Sequence, residues 1–510
     1  MDCIHINGDN LTLEQIHQVA AEKRRVAIEL AARDRMQYSR DCIEKIISAG
    51  RTVYGVNTGF GKLSHVHIAA KDLEELQLNL VLSHACGIGD FIPYELARSV
   101  LLLKANSLCK GYSGTRPAIA EFLVEMLNND VIPCIPQKGS VGASGDLAPL
   151  AHMTLVMLGL GEAWWCGRQL PGDQALRQAG LLPLSLKAKE GLALLNGTQV
   201  MTAYAVNALR RALLLTKLAD IAGAMTVESL LGTATAFDER IHVARGNSYQ
   251  IKVAHYMQRL MADSEIVASH KDCDKIQDAY SSRCIPQVHG AVRQALSYCR
   301  TAIESEINAC TDNPLVFDQD NEVLSGGNFH GQPIALACDT LSIAVSQLAN
   351  ISERRLENMM DPVQSGLPPF LTEESGVNSG FMIAQVSAAA LVSENKVLSH
   401  PASVDSIPTS ANQEDFVSMG THAARKAVEV VDNAETIIGI ELLAGCQAVD
   451  FRKKLLPGQG TRSVHQCVRQ VIPTLHRDRL LHHDIKKIKE MIKNNIIVQT
   501  VENATGSLES

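Results

Sequence analysis

Aromatic residues are scarce in this sequence: Phe, Trp and Tyr together make up 4% of its 510 residues. Ala and Leu are abundant instead, and both favour helices. The hydrophobic content of 46% and the charged content of 20% are ordinary for a soluble globular protein. The length favours one large domain or two closely packed domains. The composition therefore predicts a mainly helical globular protein.

An excess of positive charge is also missing, because 47 basic residues stand against 55 acidic ones and the net charge is −8. This balance gives no electrostatic reason to expect nucleic acid or an anionic membrane surface as a partner. The sequence has no run of 18 uninterrupted apolar residues, and its first ten residues, MDCIHINGDN, lack the apolar stretch of a signal peptide. We therefore expect a cytoplasmic protein that binds neither nucleic acid nor membrane.

Closely spaced cysteine pairs are the third absence. The chain has 13 cysteines, but no two lie closer than 11 residues apart, so no CxxC zinc or redox pair exists. Two histidine groups, His65-Val66-His67 and His482-His483, have local spacing that resembles a metal site. No carboxylate or cysteine beside them completes a recognisable metal pattern. We expect both groups to be structural or exposed, and we expect no metal.

Apolar residues recur at helical spacing along most of the chain, most regularly in the second half. Segment 200–232 is apolar on nearly every face, which predicts a helix buried all round. Segments 290–310, 335–360 and 425–449 carry stripes at nearly heptad spacing, whereas 498–510 is predicted to be a frayed tail. The first stripe consists of Val292, Leu296, Cys299, Ile303 and Ile307. So many stripes predict a bundle of long helices, some of them packing against other copies of the chain.

The first part of the chain mixes strand and helix signals. The stretch Cys3–Ile6 has a β-like pattern, and Thr12 with Gln15 forms a capping box that opens a helix. We therefore expect a smaller α+β domain over 1–200 and a long-helix bundle domain over 201–510, which together give a mainly α fold.

The segment KGSVGASGDLAPLAHM, residues 138–153, carries an unusual density of glycine. Glycines at 139, 142 and 145 permit backbone geometries that other residues avoid. Asp146 can cap a helix that has Pro149 in its first turn. By itself a generic G-x-x-G pattern of this kind is most often a loop that opens a helix, or an anion site.

The full segment resembles, almost letter for letter, the cofactor-forming segment of the aromatic amino-acid ammonia-lyases. In that family an Ala-Ser-Gly tripeptide cyclises and loses two waters to give 4-methylidene-imidazol-5-one. The resemblance implies that Ala143, Ser144 and Gly145 form this cofactor, within the N-terminal part, and that no external cofactor is needed. Gly145 supplies an unhindered nitrogen to attack the Ala143 carbonyl, and Ser144 supplies the hydroxyl whose loss leaves the methylidene group.

The resemblance extends from about residue 50 to 450 through several separate motifs. Tyr54, in YGVNTGFG, matches an acid/base residue on a mobile lid, although alone this loop would be an ordinary turn. His84, in LSHACG, matches a position that contacts the substrate ring in the histidine enzymes, although a lone histidine is more often structural. Asn196, in KEGLALLNGTQ, matches a residue near the cofactor oxygen, where a donor stabilises developing charge; it could otherwise merely cap a helix.

Further motifs lie in the second half. QDAYSSRCIPQVHG contributes Gln277, Tyr280 and Arg283; a guanidinium is a two-pronged partner for an amino-acid carboxylate. If this segment is helical, Tyr280 stands on the same side as Arg283 and is a second candidate for the catalytic base beside Tyr54. Phe329, in SGGNFHGQP, matches a ring that packs beside the cofactor, and TDNP at 311–314 has a supporting role.

SANQEDFVSMG contains Glu414, which matches a catalytic and ring-binding glutamate of the histidine enzymes. Met382 also matches the histidine type. Phe416 departs from it, because that type carries histidine at this position. The resemblance thus implies deamination of L-histidine to trans-urocanate and ammonia, the first step of histidine degradation, by a homotetramer with shared active sites.

A tyrosine or phenylalanine ammonia-lyase, or an aminomutase, with the same cofactor stays open as the alternative. The fumarase/aspartase class, another helical tetramer, needs a signature such as GSSxMPxKxN, which this sequence lacks.

Overall fold

The computed structural model describes residues 3–271, 276–452 and 454–509. The fold is mainly helical, as predicted. The helices are α1 Leu13–Ala20, α2 Leu30–Ser48, α3 Leu73–His84, α4 Tyr94–Leu108, α5 Pro117–Asn128, α6 Leu147–Met157, α7 Gly172–Gln178, α8 Glu190–Leu195, α9 Gln199–Ser229, α10 Glu239–Arg245, α11 Ser248–Leu260, α12 Glu265–Ala268, α13 Tyr280–Arg283, α14 Ile285–Ile307, α15 Gln332–Met360, α16 Pro362–Ser365, α17 Met382–Leu398, α18 Gly420–Phe451, α19 Gln459–Val471, α20 Leu481–Lys493 and α21 Ile496–Thr505.

The strands are short and form small separate sheets. They are β1 Ile4–Ile6, β2 Val26–Ile28, β3 Ile88–Phe91, β4 Val131–Pro133, β5 Pro136–Lys138, β6 Glu162–Trp165, β7 Arg168–Pro171, β8 Leu315–Phe317 and β9 Glu322–Leu324. β1 and β2 pair in parallel, with Ile4 opposite Val26. The other sheets, β3-β5, β4-β6-β7 and β8-β9, are antiparallel. The predicted start of the chain is confirmed, because Thr12 and Gln15 form the capping box of α1.

The four long helices that the sequence predicts are present as α9, α14, α15 and α18. Every residue of the predicted α14 stripe is at most 2% exposed. Helix α15 is also long and apolar enough to cross a membrane, with a mean hydropathy of 1.4 over its best window, but 67% of that window is buried inside the protein. A core helix has the same length and composition, so the pattern does not by itself indicate a membrane span.

The prediction of a frayed tail over 498–510 is wrong for most of its length. Helix α21 continues to Thr505, and Val498 and Val501 are buried. The helix packs against α19. A short apolar stripe at helical spacing is enough to order this segment once a partner helix covers it.

The chain forms two compact units. The first consists of Met1–Asn207, Arg300–Asp339 and Pro401–Arg425, and the second of the remaining segments. The strands given above all belong to the first unit. This unit differs from the predicted domain 1–200 because two later segments join it; the division at 200/201 into separately folding domains stays a prediction.

A small core in the first unit fixes the loop that carries Tyr54. Val56 is fully buried in a cluster with Cys42, Ile43 and Ile46 of α2 and Val316 of β8. The loop is therefore anchored at its second residue after Tyr54, and β8 positions it from a distant part of the sequence.

Candidate active site

The tripeptide Ala143-Ser144-Gly145 lies in a tight turn at the start of α6. Gly142, Ser144 and Gly145 have φ values of 84°, 51° and 80°. Positive φ is uncommon for a serine and costs conformational free energy. The Gly145 N–H points back to the Gly142 carbonyl oxygen at 3.4 Å. The backbone is thus bent within the three residues that the family resemblance selects.

A second strip of backbone lies directly against this turn. The Gly197 N–H donates to the Ser144 carbonyl oxygen at 3.4 Å, and the Asp146 N–H donates to the Gly197 carbonyl oxygen at 2.8 Å. A Cβ added at Gly145 would lie 2.2 Å from the Gly197 oxygen. Only glycine fits at position 145, because no side-chain atom tolerates such an approach.

Asp146 occupies the N-cap position of α6, as predicted, but its side chain makes no capping bond to that helix. Instead its Oδ2 accepts from the N–H groups of Val200 and Met201, both at 2.9 Å, in the first turn of α9. The predicted side-chain bond is absent because the carboxylate instead accepts from two unsatisfied donors at the start of α9, which a carboxylate satisfies well. Burial raises the pKa of the Asp146 carboxyl to about 6.

The segment after Glu414 is tied to the same turn. The Met419 N–H donates to the Val141 carbonyl oxygen at 2.9 Å. The Thr421 hydroxyl donates to Asp146, and its oxygen also lies 2.9 Å from the Ser140 hydroxyl. These bonds hold the two segments together on both sides of Ser144.

Glu414 reaches Ser144. The Ser144 hydroxyl donates to Glu414 Oε1 at 3.4 Å. The other carboxylate oxygen, Oε2, accepts from the hydroxyls of Thr409 at 2.9 Å and Ser410 at 2.6 Å. Two donors therefore fix Oε2, and Oε1 is the oxygen that faces the tripeptide.

His84 stands at the end of α3 and is partly buried. Burial lowers the pKa of its imidazole, and the charge of Glu414 opposes part of that shift. The ring Nδ1 lies 3.0 Å from the Ser83 hydroxyl. The structure thus brings Ser144 and Glu414 into contact, and the charge of Glu414 acts on His84. The imidazole favours its neutral form there.

Tyr54 is half-buried on the anchored loop 54–61. Its hydroxyl oxygen accepts from the Gly61 N–H at 3.3 Å. The loop closes through a bridge between Thr58 and His67. His67 thereby has a structural place, as expected.

Asn196 directs its side chain to the turn TDNP. Its Nδ2 donates to the Asn313 carbonyl oxygen at 2.7 Å and to Asp312 at 3.3 Å. Asp312 in turn accepts from Lys189 at 2.7 Å, and both charges are buried. The supporting role of this turn is visible in these contacts. A direct bond from Asn196 to a cofactor oxygen stays a prediction.

Sequence reasoning missed Lys104, which is buried in α4. Its Nζ donates to the carbonyl oxygens of Asn196 at 2.5 Å and Ala193 at 3.2 Å. Burial lowers its pKa to about 8. The available signal was a lysine inside the apolar run LLLKANSL, where a charged residue needs an internal partner.

In the second unit, α13 carries Tyr280 and Arg283. The guanidinium carbon lies 4.6 Å from the centre of the Tyr280 ring, which confirms that the two share one side of the helix. Tyr280 is 72% exposed, and Gln277 before it is exposed as well. The Arg283 Nε is buried without a hydrogen-bond partner among the described residues. Met382 is the first residue of α17.

Phe416, the departure from the histidine type, stacks on a residue that the sequence did not single out. Its ring lies 5.9 Å from the His330 ring with an interplanar angle of 9°, and His330 Nε2 donates to the Phe416 carbonyl oxygen at 3.3 Å. Phe416 is nevertheless 62% exposed. Phe329, beside His330, is partly buried.

Among the described residues, no group of three His, Cys, Asp or Glu side chains is arranged to hold a metal ion.

Comparison with known proteins decides the family. A sequence model described as aromatic amino acid lyase matches residues 11–470. The chain belongs to the aromatic amino acid lyase family. A histidine ammonia-lyase of Stigmatella aurantiaca is 51% identical to it over 98% of each chain.

Two solved structures share the fold of this aromatic amino acid lyase. The histidine ammonia-lyase of Trypanosoma cruzi is 42% identical; the match covers 99% of this chain and 96% of that protein, with a TM-score of 0.92. The tyrosine aminomutase of Streptomyces globisporus is 35% identical over all of both chains, with a TM-score of 0.94. The fold therefore does not separate the two reactions.

Proposed function

We propose that the chain removes ammonia from L-histidine without oxidation, giving trans-urocanate, and that it uses a 4-methylidene-imidazol-5-one ring formed from Ala143, Ser144 and Gly145. The observation that carries the proposal is the contact of Ser144 with Glu414, whose charge also acts on His84. The identity of 51% to a histidine ammonia-lyase over nearly the whole chain supports the choice of substrate.

The residues of the turn fit the ring. Ring closure needs the Gly145 nitrogen close to the Ala143 carbonyl carbon, and the bend from Gly142 to Gly145 favours a short distance between these two atoms. A side chain at position 145 is excluded by the Gly197 backbone, so the attacking nitrogen stays unhindered. When formed, the ring supplies an electrophilic carbon that draws electrons from the substrate amine.

Glu414 and His84 bind the substrate imidazole in this proposal. Since Glu414 Oε2 is committed to Thr409 and Ser410, its Oε1 accepts the imidazole N–H. Burial favours the neutral form of His84, so its imidazole has one donor and one acceptor nitrogen. One of these bonds the second nitrogen of the substrate imidazole. A phenyl ring offers neither bond, so Glu414 Oε1 and one His84 ring nitrogen would each lack the hydrogen bond that the substrate imidazole supplies.

The remaining roles follow from the family resemblance. Arg283 pairs with the substrate carboxylate, assisted by Gln277. Tyr54 or Tyr280 removes the Cβ proton; that proton is weakly acidic, so the base must act in a pocket that excludes water. Further contacts come from two residues: Phe329 packs beside the ring, and Asn196 donates towards the ring oxygen once its amide gives up the 3.3 Å bond to Asp312. We also propose that the protein is a cytoplasmic homotetramer whose active sites combine residues of different subunits.

The test is the growth of urocanate absorbance after L-histidine is added to the purified protein. We expect Ser144→Ala to remove nearly all of it, because the methylidene carbon comes from this side chain. Ser48→Ala is the matched control, since that hydroxyl lies on the surface and bonds only its own helix. Full activity of Ser144→Ala would refute the ring, and no urocanate from the unaltered chain would refute the substrate.

An aminomutase is the second candidate, favoured by two observations. The tyrosine aminomutase structure superposes with a TM-score of 0.94, and Phe416 places an aromatic ring two residues after Glu414. Product analysis separates the candidates: an aminomutase gives a β-amino acid without net release of ammonia, whereas the proposed lyase releases one ammonia for each urocanate.

A further inference from the structure

A single peptide group connects a buried charge with the Ser144 carbonyl. The peptide between Asn196 and Gly197 presents its oxygen to the Lys104 ammonium at 2.5 Å. The N–H of the same peptide donates to the Ser144 carbonyl oxygen at 3.4 Å. Hydrogen bonds in such a chain polarise one another, and a cation at the oxygen end makes the N–H a stronger donor.

Lys104 forms no direct ion pair with a carboxylate among the described residues. Its two described hydrogen bonds both go to backbone carbonyls at the end of α8, where a cation also meets the negative end of the helix dipole. Asp312, the acid that acts on Lys104 most strongly, is bonded to Lys189. The other groups that act on Lys104 electrostatically are Cys310, Asp146 and Lys189. A buried cation without a carboxylate contact is unusual enough to need a purpose.

The Ser144 carbonyl oxygen is where negative charge gathers in both steps that involve this residue. In dehydration a proton leaves Ser144 Cα and the hydroxyl leaves Cβ; the pair makes one water, and the Cα electrons form the double bond. As the proton leaves, charge spreads onto the adjacent carbonyl oxygen. When a nucleophile later adds to the methylidene carbon, electrons move to the same oxygen. A donor aimed at that oxygen stabilises both transition states.

We propose that Lys104 is a positioning residue for the Ala143-Ser144-Gly145 ring, which acts through the Asn196–Gly197 peptide on the Ser144 carbonyl. This inference deepens the proposed function and rests on it. Lys104 does not touch the substrate, so its effect falls on ring formation and on the electrophilic strength of the ring.

The decisive variant is Lys104→Met, which removes the charge and suits the apolar surroundings of α4. Two readouts besides turnover are used: the fraction of chains that lack two waters by intact mass, and the rate at which cyanide adds to the matured chain. Loss of a direct oxyanion donor lowers rates by about 100-fold. Because Lys104 acts through a peptide, we expect a loss of about tenfold in the cyanide rate, at unchanged KM for L-histidine.

Two further variants keep the inference testable. Lys104→Gln keeps a donor without the charge and gives the same measurement if the methionine variant does not fold, whereas Lys104→Arg keeps the charge and should restore part of the rate. Arg98→Met is the control, because Arg98 is also a buried cation of the first unit that donates to a backbone carbonyl, that of Val19 at 3.0 Å; unlike Lys104 it also pairs with a carboxylate, that of Asp130 at 2.9 Å.

Full dehydration of Lys104→Met with an unchanged rate of cyanide addition would overturn the inference. An equal loss of cyanide rate in Arg98→Met would also overturn it. These outcomes are distinct from failure of the proposed function, in which the unaltered chain itself shows no loss of two waters.

Discussion

Replacing Gly145 by Ala adds a methyl group where the backbone of Gly197 already lies. The new Cβ would stand 2.2 Å from the Gly197 oxygen and 2.5 Å from its carbonyl carbon, both far inside contact distance. One of the two strips must move, so the bonds between Gly197 and the 144–146 backbone are broken or lengthened. The alanine must also adopt a φ near the 80° of Gly145.

The backbone strain and the lost hydrogen bonds together give the expected loss of stability. Left-handed backbone costs about 1 kcal/mol for alanine, and each of the two lost backbone hydrogen bonds contributes about 1 kcal/mol. Gly145→Ala should therefore lower the free energy of unfolding by about 3 kcal/mol in all. It should also prevent ring closure, because the displaced nitrogen no longer faces the Ala143 carbonyl.

Gly180→Ala isolates the cost of the left-handed backbone from the steric clash. Gly180 belongs to the same unit and has a φ of 73°, but no atom lies within 4 Å of its added Cβ. We expect a loss of only about 1 kcal/mol and normal dehydration. The assay is denaturant unfolding of both variants together with their intact masses. Equal destabilisation of the two, or a two-water loss in Gly145→Ala, would refute the reasoning.

Three further predictions concern a titration, an ion pair and the substrate. The Asp146 carboxyl has a pKa of about 6 against an ordinary 3.8, so the stability that this shift contributes is present at low pH and declines as the pH rises through 6. The unfolding free energy measured from pH 4 to 7 should show this decline relative to Asp146→Asn. Equal pH slopes in the two proteins would contradict it. Arg355→Met leaves the fully buried carboxylate of Glu441 without its cation and should lower the unfolding free energy by about 3 kcal/mol; denaturant titration checks this, and a change below about 1 kcal/mol would refute it. Phe416→His should change stability by less than about 0.5 kcal/mol because the ring is exposed, yet raise the kcat/KM ratio of L-histidine over L-tyrosine; an unaltered ratio would remove Phe416 from the specificity argument.

The long helices could be predicted because their signal is local. Apolar residues recur every three or four positions, and burial of the stripe from Val292 to Ile307 follows directly from that period. The capping box at Thr12 is equally local. Ser144, Glu414 and His84 could be selected because each stands in a motif that the family resemblance covers, although nothing local shows that Ser144 contacts Glu414.

The failures involve partners far apart in sequence. Asp146 has an ordinary capping pattern for its own helix, but its carboxylate meets the start of α9, which begins more than fifty residues later. Lys104 could be flagged as a charge in an apolar run, yet its acceptor at Asn196 lies 92 residues away. The stack of Phe416 on His330 is equally non-local. Only tertiary packing selects among the partners that a polar side chain can use.

The most direct measurement is the mass of the protease-derived peptide that contains residues 139–146, taken from the unaltered protein before any substrate is added. If the ring forms, this peptide is lighter than its sequence by two water molecules, and fragmentation places the loss between Ala143 and Gly145. A peptide of unmodified mass from a preparation that converts L-histidine to urocanate would contradict it.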